Sequence, residues 1–144
     1  MTRLRERRKI MHLVPRQPLV MGDSARFYGQ VVQDVVIRAE LPDRIRALKI
    51  HFGVGARTAW HSHALGQTLH VVSGIGLVQA RDGDVIVMRE GDTIYTPPDE
   101  WHWHGASPDS PMTHLAIFDG MPEGPESTWA EHVTDEEYLA FRLH

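Results

Sequence analysis

One pattern repeats between residues 31 and 118: a short run of β-branched or alternating apolar residues, then a cluster of turn-forming residues. In one run, Leu48, Ile50 and Phe52 alternate with polar residues, the period of two that is typical of a half-buried strand. Asp82-Gly83 is a hairpin-turn sequence between two such runs. Many short strands joined by polar turns indicate a sandwich or a barrel. The predicted strands are 31–32, 35–37, 46–52, 60–63, 67–72, 76–80, 85–88, 93–96, 101–105 and 112–118.

The chain divides into three predicted segments around this β-domain. The barrel occupies 31–118, after a partly irregular N-terminal arm over 1–30 and before a C-terminal segment over 119–144. In that last segment Thr134 and Glu137 form a capping box, which predicts a short helix from 135 to about 142. A chain of 144 residues is long enough to enclose one core. We therefore expect a single all-β domain with one short C-terminal helix.

Charge and hydropathy exclude several classes of partner. The formal net charge is −4, although the basic segment 1–9 contains five basic residues and one acidic residue. No apolar run approaches the roughly 18 residues of a membrane span. The apolar stretch after Arg7-Arg8 is shorter than the roughly 7–15 residues of a secretion signal. We expect a cytoplasmic protein whose partner is a small molecule, with neither nucleic acid nor a membrane involved.

Ten histidines and no cysteine restrict the metal chemistry that this chain can support. Any transition metal must be bound by imidazole and oxygen ligands, because thiolate ligands are absent. His61 and His63 are two residues apart on a predicted strand and therefore share one face. Gln67 opens the next strand, and His102 lies on a later one. If these strands are neighbours, the four side chains can converge on one cation.

The same residues belong to two motifs, and the chain resembles the cupins in the spacing of residues within both. The second motif has Asp99 where the family has glycine and Ala106 where it has asparagine. In the first motif, Gln67 stands in the usual place of a glutamate. The matching positions are Gly55, His61, His63, Gly74, Gly91, Pro97 and His102. The resemblance implies a double-stranded β-helix, or jelly-roll, barrel.

A closer resemblance covers most of residues 47–142. Segments such as Gly-Ala-Arg-Thr-Ala-Trp-His and Glu-His-Val-Thr-Asp-Glu-Glu-Tyr are similar to small bacterial cupins related to manganese-dependent (R)-hydroxynitrile lyases and to carboxymuconolactone-decarboxylase-associated cupins. In that subfamily a glutamine replaces the glutamate ligand. The resemblance implies a divalent transition metal, manganese first, with iron, zinc, nickel or cobalt as alternatives. Its implied ligands are His61, His63, Gln67 and His102.

Such a ligand set has a direct electrostatic consequence. Three neutral imidazoles and an amide oxygen leave a divalent ion with its full charge of +2, which a glutamate would reduce. The site should therefore be a stronger Lewis acid and should attract anions. This favours proton-transfer and carbanion chemistry over redox chemistry.

The same resemblance implies that three further residues act in catalysis. Thr58 would bind the hydroxyl or carbonyl oxygen of the substrate, and His104 and His114 would be acid, base or anion-stabilising groups. Each has a structural alternative. His104 could support the metal ligands through hydrogen bonds. His114 could be a hydrogen-bonded interior histidine, and Thr58 could bond only to the backbone.

The resulting hypothesis is a metal-dependent enzyme that cleaves a cyanohydrin-type C–C bond. A metal-dependent dioxygenase or decarboxylase-type cupin and a non-enzymatic binding cupin are the alternatives. We expect an apolar cavity wall that includes Leu69 and Phe118, where lyase-like members have glutamine at the position of Phe118. The other wall residues are the three alternating apolar residues of 46–52. Unpaired strand edges make a homodimer or homotetramer plausible.

Overall fold

Twelve strands dominate the described part of the protein, which a computed structural model covers over residues 10–143. The basic segment 1–9 and His144 lie outside the described residues. All strand pairs among the described residues are antiparallel. The strands are β1 (Val20–Met21), β2 (Phe27–Tyr28), β3 (Val31–Arg38), β4 (Ile45–Phe52), β5 (Arg57–Thr58), β6 (His61–His63), β7 (Gln67–Ala80), β8 (Ile86–Arg89), β9 (Thr93–Thr96), β10 (His102–Ala106), β11 (Met112–Asp119) and β12 (Ser127–Trp129).

The strands form one curled sheet in the order β1-β3-β4-β11-β7-β10-β5-β2. Strand β7 belongs to both halves of the curl: its first part pairs with β11 and β9, and its second part pairs with β10 and β8. Strand β6 pairs with β10 and carries β12 at its other edge. The predicted all-β barrel is confirmed.

Strand β7 corrects one element of the prediction. The sequence predicted two strands separated by a turn at Ser73-Gly74, whereas the structure has one strand of 14 residues. Gly74 has a φ of +80° within this strand, and the pairing with β11 shifts register nearby. A Cβ atom at Gly74 would collide with the backbone oxygen of Pro111. The glycine therefore marks a corner in a continuous strand, where β7 passes from one half of the curl to the other.

The C-terminal helix α1 (Asp135–Leu139) begins at the predicted capping box and continues as a 3₁₀ turn over Ala140–Leu143. The Thr134 side chain accepts a hydrogen bond from the backbone N–H of Glu137, and the Glu137 carboxylate accepts one from Thr134. Buried Tyr138 packs in a cluster with Trp60, Leu77, Trp103 and Val133. The helix thus covers the outside of the barrel. Trp103 therefore packs between the barrel and the helix.

Both terminal segments contribute strands to the sheet. The predicted arm contains β1 and β2, which pair with β3 and β5. The predicted C-terminal segment contains β12, which pairs with the histidine-bearing strand β6. Among the described residues, no helix is long and apolar enough to cross a membrane.

Candidate metal centre

Three strands bring the predicted ligands together inside the curled sheet. Strand β6 carries His61 and His63, β10 carries His102, and Gln67 opens β7. His61 lies directly opposite His102 across the β6–β10 pairing. All four side chains are buried. The neighbouring-strand condition set by the sequence is therefore met.

The imidazole rings of His61, His63 and His102 lie close together. The ring centroid of His61 is 4.3 Å from that of His102 and 5.0 Å from that of His63, and the His63 and His102 centroids are 5.5 Å apart. The amide oxygen Oε1 of Gln67 is 3.4 Å from Nε2 of His102. These contacts bring three imidazoles and one amide oxygen together in one buried cluster.

Hydrogen bonds at Nδ1 orient the three rings. Nδ1 of His61 is 2.9 Å from the backbone oxygen of Ala59, and Nδ1 of His102 is 2.8 Å from that of Glu100. A carbonyl oxygen only accepts, so both Nδ1 atoms donate, and in a neutral ring Nε2 then carries the lone pair. Nδ1 of His63 lies 2.8 Å from the Ser127 hydroxyl.

Two observations show that these residues fit a cation. Nε2 of His63 is buried and has no hydrogen-bond partner. Nε2 of His102, which carries a lone pair, faces the Gln67 oxygen, so two acceptors meet without a hydrogen between them. Neutral nitrogen and oxygen ligands suit divalent first-row transition metals. The site has the donor atoms that such an ion requires.

A second donor set overlaps with the first. The ligating nitrogens of His61, His102 and His104 all lie within 4.8 Å of one another. His104 is also buried, and its Nε2 has no hydrogen-bond partner. Three histidines that could hold a metal ion are thus present, and His104 is close enough to compete with His63 as a ligand.

Burial keeps these imidazoles neutral. It lowers the pKa of His61 and of His104 well below the usual value of 6.5, and the nearby imidazoles lower both further. Burial likewise lowers the pKa of His63 and of His114 to about 4, and it lowers the pKa of His102. Metal binding requires unprotonated imidazole, so at neutral pH the rings need lose no proton to bind an ion.

His104 and His114 form a separate buried pair. Nε2 of His114 is 2.9 Å from Nδ1 of His104, and His114 is fully buried. Nδ1 of His114 has no partner. The ring of Phe52 packs against both imidazoles, with centroid distances of 5.9 Å and 5.3 Å. The pair therefore has a proton between its rings and an unpartnered nitrogen at each end.

Thr58 is joined to this pair through the backbone. Its Oγ1 accepts a hydrogen bond of 3.1 Å from the backbone N–H of His104, and its side chain is buried. Because the oxygen acts as the acceptor, the hydroxyl hydrogen is still available to another partner. Thr58 also lines the cavity described next.

Three of the four predicted donors, His61, His63 and Gln67, line a cavity of about 370 Å³. Leu48, Ile50 and Phe118 form part of its wall, as predicted. Phe52 and Leu69 do not line it; they are 2% and 0% exposed and pack in the core behind the wall. A volume of this size is in the range of small-molecule sites.

Several cavity residues come from segments outside the predicted barrel. Trp129 on β12 stacks on His61 at 4.4 Å, and Phe27 on β2 lies against Trp129. Sequence reasoning missed them because neither short strand shows a periodic pattern. It also missed three charged residues of the lining, Arg26, Arg38 and Glu126. The C-terminal segment is thus part of the site as well as of the fold.

Comparison with known proteins identifies relatives of this architecture. The cupin domain model matches residues 48–118. The chain is 44% identical over 117 residues to an (R)-mandelonitrile lyase of Granulicella tundricola, covering 81% of this chain and 88% of that enzyme. A gentisate 1,2-dioxygenase of a Streptomyces species is 40% identical over 59 residues, which is 41% of this chain and 16% of that enzyme.

A solved structure shows the same fold. A cupin-like protein from Thermotoga maritima superposes with a TM-score of 0.80 at 34% identity, covering 90% of this chain and 96% of that one. The fold, both histidine-bearing strands and the similarity over most of the chain lead to the same conclusion: this chain belongs to the cupin family.

Proposed function

We propose that this protein is a metal-dependent lyase that reversibly cleaves a cyanohydrin into an aldehyde and hydrogen cyanide. The observation that carries the reaction is the 44% identity to an (R)-mandelonitrile lyase over 117 residues. The buried histidine pair beside the donor cluster supports it, because the reaction needs a group that accepts a proton and returns it.

His61, His63, Gln67 and His102 are the proposed metal ligands, and manganese is the proposed ion. When bound, a divalent ion with four neutral ligands supplies an undiminished double positive charge to an oxygen anion or to cyanide. His61 and His102 suit this role because backbone carbonyls hold their protons at Nδ1. Their Nε2 lone pairs are therefore fixed toward the interior of the cluster.

We assign His104 to proton transfer rather than to the metal because of its partner. Its Nδ1 faces an imidazole nitrogen of His114, and an imidazole can donate or accept. The proton between the two rings can therefore belong to either one. The ring that donates this hydrogen bond has a lone pair on its other nitrogen. That nitrogen can accept a proton from a substrate.

The proposed step balances within the cavity. The neutral His104–His114 pair accepts the proton of the cyanohydrin hydroxyl. The electron pair of that O–H bond forms the carbonyl π bond, and the C–CN bond breaks with its electrons on cyanide. The pair then returns the proton to cyanide, which leaves as hydrogen cyanide. The Thr58 oxygen already accepts a hydrogen bond from the backbone N–H of His104, so its hydroxyl hydrogen can be donated to the substrate oxygen.

The test is release of benzaldehyde from (R)-mandelonitrile and from (S)-mandelonitrile by protein loaded with Mn²⁺. We expect turnover with a preference for the (R) enantiomer. His61→Ala should abolish it, whereas His70→Ala should not, because His70 contacts Thr93 on the outside of the barrel. Benzaldehyde release no faster than that of His61→Ala, across Mn²⁺, Fe²⁺ and Zn²⁺, would contradict the lyase assignment.

A dioxygenase is the second candidate, favoured by the local similarity to gentisate 1,2-dioxygenases. Its discriminating measurement is oxygen consumption by the Fe²⁺ form with gentisate as substrate. The neutral Gln67 argues against it, since a carboxylate ligand would stabilise oxidised iron better than an amide does. Consumption of oxygen coupled to loss of gentisate would favour this candidate over the lyase.

A further inference from the structure

We propose that Arg38 binds an anionic group, a carboxylate, at the open end of the cavity, so that the natural substrate combines an apolar body with one negative charge. This names the substrate class of the site described above and rests on the proposed function only in taking the cavity as the active site. Binding of a carboxylate at Arg38 can be measured without turnover.

A bulge in β3 places the exposed Arg38 at the edge of the cavity rather than on the outer face of the barrel. Val35 pairs with Leu48, but the next pairs are Ile37 with Ala47 and Arg38 with Arg46. Strand β3 therefore contains one extra residue, which reverses the alternation of its side chains after the bulge. Residues that pair directly share a face, and Leu48 lines the cavity. Arg38, two pairs further on, returns to that interior face and lines the cavity too.

Without the extra residue, Arg38 would lie on the outer face of the barrel. Strict alternation from the inward-facing Gln33 and Val35 would aim Ile37 inward and Arg38 outward. A bulge that turns an arginine toward the cavity, at the cost of a ladder hydrogen bond, is typical of strands next to binding sites.

The positive charge of Arg38 is not compensated. Arg46, its buried neighbour, pairs with Glu126 at 3.2 Å, and Arg26 lies 3.9 Å from Asp23. No ion pair joins Arg38 to any other residue of the described chain. The cavity lining therefore contains an exposed arginine whose guanidinium is available to an anion.

The chemistry of the lining indicates the ligand. A guanidinium presents paired N–H donors that match a carboxylate in two parallel hydrogen bonds. The wall between polar groups includes Phe118, Trp129 and Ile50, which suit an aromatic or aliphatic body. A small aromatic molecule with a carboxylate satisfies both features. The uncharged mandelonitrile satisfies only the apolar one.

Binding of 4-formylbenzoate, compared with benzaldehyde, tests the proposal by calorimetry. The two probes share the ring and the aldehyde and differ only by the carboxylate. We expect the wild-type protein to bind 4-formylbenzoate about three- to tenfold more tightly, with and without Mn²⁺, and high salt to remove the difference. Arg38→Gln should lose this preference, and Arg38→Lys should retain part of it.

Arg89→Gln is the matched control, because Arg89 is an exposed arginine on β8 outside the cavity lining. It should keep the full preference. Equal affinity of the wild-type protein for both probes, or an unchanged preference in Arg38→Gln, would overturn the proposal. If Arg38→Gln does not match Arg89→Gln in thermal unfolding, Arg38→Lys and the salt dependence of the wild-type protein decide the result.

The outcome can be separated from that of the lyase assay. An Arg38-dependent carboxylate preference without mandelonitrile cleavage would support the anion site and reject the cyanohydrin reaction. Mandelonitrile cleavage with no carboxylate preference would support the reaction and reject the anion site.

Discussion

Two groups of buried histidines lie side by side inside the barrel, and they differ in the hydrogen-bond partners of their ring nitrogens. The Nδ1 atoms of His61 and His102 bond to the backbone oxygens of Ala59 and Glu100. His104 and His114 bond to each other. A carbonyl can only accept, so it fixes the position of a ring proton, whereas a second imidazole leaves that position open. The same residue type is thus prepared either to hold an ion or to move a proton.

This comparison is the basis for the role that we propose for His104. His104 is near enough to His61 and His102 to complete a three-histidine metal group. Its ring, however, lacks the carbonyl anchor that those two share, and its Nδ1 is bonded to His114. We therefore base the proposed role of His104 in proton transfer on its hydrogen bond to His114 rather than on proximity.

The largest expected effect is loss of the metal on removal of an anchored ligand. His61→Ala should leave purified protein with metal well below one equivalent, because the remaining donors cannot complete the site. The measurement is elemental analysis after dialysis, with His70→Ala as the control that removes a histidine from the outer face. Full metal content in His61→Ala would show that the ion is held elsewhere.

Removing a member of the proton-moving pair should affect turnover and leave the metal in place. We expect His114→Ala and His104→Ala to lower kcat for mandelonitrile by about 10²–10⁴-fold, the usual contribution of a positioned acid or base. Metal content should stay at the wild-type level in both variants. A fall in the metal content of His104→Ala to that of His61→Ala would place His104 among the ligands instead.

The anchors at His61 and His102 are local, and this explains why the sequence was informative about them. Each ring bonds to the carbonyl two residues before it. The spacing of His61 and His63 and the turn before Gln67 are also local features, so periodicity and motif spacing indicated the donor cluster. The capping box at Thr134 could be predicted because it too is a local feature of the sequence.

Contacts between distant parts of the chain could not be predicted from the sequence. Ser127 reaches His63 across 64 positions of sequence, and Trp129 stacks on His61 from an irregular acidic segment. The continuous β7 strand was divided in the prediction because Gly74 is an ordinary turn signal. Only the approach of Pro111 from another part of the chain shows why that glycine lies inside a strand.

Acid should destabilise the metal-free protein through these histidines. The unfolded chain protonates them below about 6.5, whereas burial keeps the pKa of His63 and of His114 at about 4 in the folded state. The unfolded state therefore binds more protons between these values, so the contribution of these two histidines lowers the free energy of unfolding as pH drops from 6.5 to 4. Urea midpoints across this range measure the effect.

The contribution of His114 can be isolated with His114→Gln, which removes one titrating ring and keeps a polar side chain. Its urea midpoint should depend less on pH than that of the wild-type protein, by on the order of a few kcal/mol at most across the range. Identical pH dependence in the two proteins would contradict a neutral His114 in the folded state.

The smallest effect concerns the third ligand, whose anchor lies between the two types. Nδ1 of His63 faces the Ser127 hydroxyl at 2.8 Å, and a hydroxyl, like an imidazole, can donate or accept. If anchoring prepares a ring for the metal, Ser127→Ala should weaken metal affinity by about 10–100-fold, and saturating metal should restore turnover. Competition with a chelator measures that affinity.

Ser127→Thr is the matched variant, because it keeps the hydroxyl, and Ser110→Ala removes a hydroxyl that bonds only to the exposed backbone of Pro111. Both should bind metal nearly as the wild-type protein does. Wild-type affinity in Ser127→Ala would mean that the ring of His63 is held by its packing against Phe118, 5.3 Å away, rather than by its hydrogen bond. Anchoring would then separate only His61 and His102 from the proton-moving pair.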